Sequence, residues 1–303
     1  LVPSPAGAAR LTVALALAAL VAPEAGAQER RTLGVVALGT NDDFLGSDIL
    51  DRWRSGALSV HAVRGPGWPG AGDVGFGRVL EYRFRGEILA PESLDNPEPG
   101  DRPYAGALSF GVHSHWQRDG LTLRAGADVI FTGPQTGLAD LQESLHELQD
   151  LPDPSTAAAD QIGDATYLAI SGEVARPVPV IAGMTARPFA EARLGDETFV
   201  RIGADFLGGS LASGGLMVRD YATGQVVEAV RGGTSGFGWS AGLDIASVGS
   251  SVYLPDEDGF PGPEDTRTRA RIGAAWAGDR WSVFAGTSWL SEEFEGQEEG
   301  QIV

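Results

Sequence analysis

Ala107–Trp116 reads Ala-Leu-Ser-Phe-Gly-Val-His-Ser-His-Trp, and Leu121–Phe131 reads Leu-Thr-Leu-Arg-Ala-Gly-Ala-Asp-Val-Ile-Phe. Leu108, Phe110, Val112 and Trp116 fall on one side of the first run; Ser109, Gly111, His113 and His115 fall on the other. In the second, Leu121, Leu123, Ala125, Ala127, Val129 and Phe131 oppose Thr122, Arg124, Gly126 and Asp128. Period-two alternation is the signature of a β-strand with two unlike faces. The polar faces carry Arg, Asp, Ser and Gly, which do not fill the core of a soluble sandwich. An apolar face toward lipid and a polar face toward a lumen is the pattern of a transmembrane barrel.

The pattern recurs on both sides of this pair. Upstream it covers a first strand over Thr32–Thr40, a second through Leu58, Val60 and Ala62, and a third through Leu80, Tyr82 and Phe84. Residues 64–76 read as a Gly/Pro-rich loop between them. Downstream it returns after Asp160-Gln161-Ile162, at Val200–Phe206, Phe237–Ile245, Ala270–Trp276 and Trp281–Trp289. About 10–13 such runs of ~9–11 residues predict an all-β, antiparallel transmembrane β-barrel of about 12 strands. Leu254–Asp265 and the acidic stretch Glu292–Glu299 read as exposed loops.

Composition narrows the partners. The 303 residues carry a net charge of −19, which excludes the basic face that nucleic acid requires. All 22 basic residues are arginine, and there is no cysteine. Arg10, the apolar run Leu11–Ala22 and Ala25-Gly26-Ala27 predict a secretory signal peptide over residues 1–27, followed by the barrel over 28–303. The apolar run is too short to span a bilayer as a helix.

One segment breaks the strand pattern. After Gly133-Pro134, residues 138–148 read as a short helix in an extracellular loop, with Gln142 and His146 four apart on one face. A neutral histidine near pH 7 can take a proton from water; a surface histidine on a loop helix fits the spacing equally well. His61, His113 and His115 lie in strands and read as wall or lumen residues. Asn41-Asp42-Asp43 closes the first strand and suits either an ordinary turn or a hard cation. Ser55 opens the second strand, and no G-x-S-x-G elbow is present.

The order of these motifs resembles one family. Asn41-Asp42-Asp43-Phe44, Asp51-Arg52 with Ser55-Gly56, Gly100-Asp101-Arg102-Pro103-Tyr104-Ala105-Gly106, Gly133-Pro134 with Gln142 and His146, and Asp160-Gln161-Ile162 are similar to the successive motifs of the outer-membrane lipid A 3-O-deacylases. The resemblance spans residues 33–175. It implies a 12-stranded barrel that hydrolyses the 3′-linked acyloxyacyl ester of lipid A in the outer leaflet, with a divalent cation, calcium. His146 would activate water. Asn41 and Asp42 would hold the metal, Asp42 as its ligand, or shape the oxyanion site. Gln142 would position substrate or His146, and Ser55 would fill the family's threonine position. Family members can carry a glutamate six residues after the histidine; here that place is Pro152, with Asp150 and Asp153 beside it. A non-catalytic barrel or pore, and an outer-membrane phospholipase, are the alternatives.

Overall fold

The computed structural model describes residues 30–42, 52–70, 72–149, 151–181, 183–257 and 259–303. The signal-peptide segment, Asp43, Phe44, Asp51 and Asp150 lie outside them. The strands are β1 (Arg31–Asn41), β2 (Trp53–Gly65), β3 (Val74–Ala90), β4 (Ala105–Arg118), β5 (Leu121–Thr132), β6 (Ala165–Ala175), β7 (Val178–Ile181), β8 (Met184–Leu194) and β9 (Glu197–Gly209). They continue with β10 (Leu216–Arg219), β11 (Val226–Val230), β12 (Gly236–Ser251), β13 (Thr266–Ala277), β14 (Ser282–Leu290) and β15 (Gln301–Ile302). Helices α1 (Leu138–Gln149) and α2 (Ser155–Ala159) lie between β5 and β6.

Twelve strands form one antiparallel wall in the order β1-β2-β3-β4-β5-β6-β8-β9-β12-β13-β14-β15, with β7 as a short flap on β8. No helix among the described residues is long and apolar enough to cross a membrane. The two ends of the wall differ. β4–β5 and β13–β14 are joined by tight turns at one end, whereas residues 91–104, 133–164 and 252–265 make long loops at the other. Membrane barrels place short turns in the periplasm and long loops outside, so the long-loop end is the outer one.

The two faces follow the alternation read from sequence. Val35, Leu58, Val129, Leu168, Ile202 and Trp276 are exposed on the outside, a far larger apolar surface than a water-soluble monomer shows. The inside holds charge. Asp205 accepts from Arg187 (3.1 Å), Arg219 (2.8 Å) and Arg271 (2.5 Å). Asp244 is shared by Arg201, Arg269 and Arg271. Glu81 takes His61 and His115, each at 2.6 Å, and His113 meets Asp128 at 3.0 Å, so these three histidines are lumen residues. Gly126, paired with His113, makes room for that ring: a Cβ there would sit 2.4 Å from its Cγ.

A second hairpin occupies the lumen. Between β9 and β12 the chain turns inward at the short-turn end as β10–β11, a two-stranded sheet of its own. Leu216, Val218, Val227 and Ala229 pack on the inward Val63 and Val79. At its tip, Asp220 accepts from Ser59, and the Tyr221 ring lies under the guanidinium groups of Arg85 and Arg193. Hairpin and ion pairs together fill the interior, which argues against the pore alternative.

Two loop expectations need correction. Leu254 is buried against Trp53 and Phe294 rather than exposed, because the 252–265 loop folds back over the rim. Glu293, inside the acidic stretch, is buried between Arg54 (2.7 Å) and Arg102 (3.0 Å); its charge is matched there, not solvated.

Asp205→Ala leaves three guanidinium groups short of a partner in a buried site. The expected loss is about 3–5 kcal/mol, read as a lower temperature at which the folded, fast-migrating electrophoretic band disappears. Asp205→Asn, which keeps one acceptor oxygen, falls between the variant and the parent.

Candidate active site

The site is built at the outer end, on the lipid-facing side of the wall. Register puts it there. Between β2 and β3 the pairing steps from Trp53↔Ala90 to Gly56↔Ile88, three residues on one strand against two on the other. Such a bulge re-aims side chains. Arg54 points inward to Glu87 and Glu293, and the next residue, Ser55, points outward to α1. Trp53 adopts φ 53° at this bulge, a conformation that costs a bulky residue about 1–3 kcal/mol. Its burial against Leu254 and Phe294 holds it there. Asn41 pairs with Gly56, so it shares the outer face with Ser55's neighbour and with Leu58 two residues on.

The Gly100–Gly106 segment seats the helix. Asp101 accepts the backbone N–H groups of Glu92 (2.6 Å) and Arg102 (2.6 Å), which closes the 91–104 loop. Ile162 N–H donates to the Tyr104 carbonyl at 2.9 Å, and Ala157 N–H to that of Leu94 at 3.2 Å, so the two long loops interlock. Gly106 lies under the start of α1: a Cβ there would stand 2.7 Å from Thr136 Oγ1 and 3.2 Å from Leu138 Cβ. A glycine is what lets the helix approach the wall.

Gln142 and His146 are buried polar residues of α1. The Tyr104 hydroxyl donates to Gln142 Oε1 at 2.7 Å, and Gln142 Nε2 donates to Ser55 Oγ at 3.2 Å. A relay from Tyr104 through Gln142 to Ser55 therefore ties helix, loop and wall together. His146, one turn further on, places Nδ1 at 2.5 Å from the carbonyl oxygen of Pro152. A carbonyl can only accept, so the proton of a neutral ring sits on Nδ1 and the lone pair on Nε2. The backbone N–H and hydroxyl of Ser155 hold the exposed Asp153 carboxylate below its usual range, and the His146 ring adds to this through space.

Asp42 is engaged in the rim. Its Oδ2 accepts Arg52 N–H at 2.8 Å and lies 3.4 Å from Gln301 Nε2, while Gln301 also bridges to the Arg52 carbonyl (2.8 Å) and the Arg54 N–H (3.2 Å). A hard cation such as calcium needs six to eight oxygens. Among the described residues there is no group of three or more His, Asp or Glu side chains placed to hold a metal ion.

Of the residues singled out from sequence, Ser55 and Gln142 are in direct contact, His146 shares the buried face of α1 with Gln142, and Asn41 and Asp42 sit at the adjoining end of β1. Three partners carried no role in that reading. Tyr104 lay inside a quoted motif but gave no sign of its contact. The Pro152 carbonyl is backbone and leaves no trace in residue type. Gln301 comes from the far end of the chain.

Comparison with known proteins agrees with this architecture. The profile of the family described as "Outer membrane protein LpxR" matches residues 11–303. Among solved structures, LpxR from Salmonella typhimurium superposes with a TM-score of 0.68 at 17% identity, covering 90% of this chain and 97% of that one. At that identity the likeness speaks for the fold. No curated protein matches the chain. A profile match over nearly the whole length, on a twelve-strand wall with an apolar exterior, places the chain in the LpxR family of outer membrane proteins.

Proposed function

We propose that this barrel is a lipid A deacylase that hydrolyses the 3′-linked acyloxyacyl ester in the outer leaflet, with His146 as general base. The observation that supports the reading is the His146 Nδ1 to Pro152 carbonyl contact, which leaves the lone pair of a neutral ring on Nε2, on the same buried face of α1 as Gln142. In the reaction, Nε2 takes a proton from water as its oxygen attacks the ester carbonyl carbon. Charge develops on the former carbonyl oxygen, and fixed donors aimed at it lower the barrier. Ser55, whose Oγ is held by Gln142 Nε2, is the hydroxyl placed at this site to act as such a donor. The Asn41 carboxamide, on the same outer face, can supply a second. As the tetrahedral intermediate collapses, the imidazolium returns the proton to the leaving sugar oxygen, and the acyloxyacyl group departs as its carboxylic acid. No step is assigned to a divalent cation.

The alternatives separate by product. A phospholipase would release fatty acid from glycerophospholipid, and a non-catalytic barrel would leave both lipids intact.

Mass spectrometry of lipid A from cells expressing the chain is expected to show loss of one acyloxyacyl unit, and His146→Ala to abolish it while the barrel still assembles in the outer membrane. Unchanged lipid A with the parent protein folded would sink the proposal.

Tyr104→Phe removes one buried hydrogen bond to Gln142, worth ~1 kcal/mol. A fall in turnover of about fivefold is expected, with the barrel still folded and its thermal unfolding shifted by no more than that ~1 kcal/mol. Gln142→Ala, which also breaks the contact to Ser55, should cost more in turnover than Tyr104→Phe.

A further inference from the structure

Helix α1 has three faces, and the site accounts for only one of them. Ala139, Gln142 and His146 lie against the wall. Asp140, Glu143, Ser144 and Glu147 form a polar face that is exposed. Between these two lies a stripe at i, i+4 and i+7 in which Leu141, Leu145 and Leu148 are 51%, 45% and 82% exposed. Leucines so exposed do not stabilise a helix in water. A helix with one apolar and one acidic or polar flank is instead the form that lies in a membrane interface.

The register of the wall shows which way the stripe faces. Leu138 heads the same row, three residues before Leu141 and seven before Leu145. It stands over Gly106, as the contact of a Cβ built there shows. Two residues further down β4 on the same face, roughly 7 Å away, is Leu108, which pairs with Gly86 and Phe131. Gly86 pairs in turn with Leu58, itself 49% exposed on the lipid side. One row below run Val60, Phe84, Phe110, Val129 and Leu168. The leucine stripe is thus the upward continuation of the barrel's hydrocarbon-facing belt, and the acidic face turns away from it.

We propose that the Leu141/Leu145/Leu148 stripe is a membrane-docking surface that seats α1 in the acyl chains of the outer leaflet. Hydrocarbon is the one occupant continuous with the belt beneath. The seat brings lipid tails alongside the helix face that carries Gln142 and His146, so a chain leaving the leaflet meets the cleft without crossing water. In its consequence for catalysis the inference rests on the deacylase reading; as a statement about where α1 sits, it does not.

The chain has no cysteine, so single labelling sites are clean. Leu141→Cys, Leu148→Cys, Glu143→Cys and Glu147→Cys would each carry a nitroxide label on the full barrel in phospholipid vesicles. Collision with oxygen, which concentrates in hydrocarbon, is compared with collision with a water-soluble nickel chelate. The oxygen-to-nickel ratio is expected to be several-fold higher at 141 and 148 than at 143 and 147. Equal ratios at all four positions would overturn the inference. So would dipolar broadening between labels at 148, which would mean that a second copy covers the stripe. The measurement needs no turnover: unchanged lipid A with a high ratio at 141 and 148 removes the deacylase reading and leaves the docking surface standing.

Discussion

The structure depends on pairing arginine with carboxylate inside a barrel too wide for apolar side chains to fill. Eight strands enclose a space that side chains alone can pack. Twelve leave a lumen, and this chain fills it with an inner hairpin and a lattice of guanidinium and carboxylate groups. An isolated ion pair in low dielectric seldom repays its desolvation. Sharing changes the balance. Asp205 and Asp244 each take three arginines, and Arg271 bridges the two. Glu173 and Glu191 likewise each face two guanidinium groups, and the planar five-donor guanidinium can make several such contacts at once where an ammonium could not. The absence of lysine fits an interior in which each cation must be forked and permanently charged.

A filled lumen has a consequence for the site. With the inside committed to holding the wall in shape, the proposed chemistry falls on the outer face, where a substrate dissolved in the leaflet would arrive. One inserted residue in β2 performs the switch. It leaves Arg54 in the lattice through Glu87 and Glu293 while turning Ser55 through the wall to meet Gln142. The same rim pins the 252–265 and 291–300 loops through Trp53, Leu254 and Phe294. The charge lattice and the site are therefore adjacent along the chain yet on opposite faces of the same sheet.

Much of this was legible in sequence because period-two alternation survives in nearly every strand, and because the helix at 138–148 breaks it. The inner hairpin was not legible. Leu216–Arg219 and Val226–Val230 are apolar runs of the kind that wall strands also show, and only register reveals that they pair with each other rather than joining the wall. The buried Glu293 was hidden for a related reason: it lies among Glu292, Glu295, Glu298 and Glu299, and nothing in composition marks which acid finds two arginines. In the site, the side chains that do the hydrogen bonding from α1 could be named in advance. The bulge that aims Ser55 and the carbonyl that aims His146 are backbone events, and residue type does not encode them directly.

In the proposed reaction, the Pro152 carbonyl bears on how His146 would be held as the base. A carboxylate partner would orient the ring and also stabilise the imidazolium that forms as the proton moves. A backbone carbonyl orients it equally well but brings only a partial charge. Pro152 is suited to the part, since its locked φ, with Pro154 close behind, fixes the chain where the acceptor must stand. Leu151 N–H, bonded to the His146 carbonyl at 3.0 Å, closes the turn from the other side. One residue on, the exposed Asp153 carboxylate accepts the Ser155 N–H and is held below its usual range chiefly by that residue.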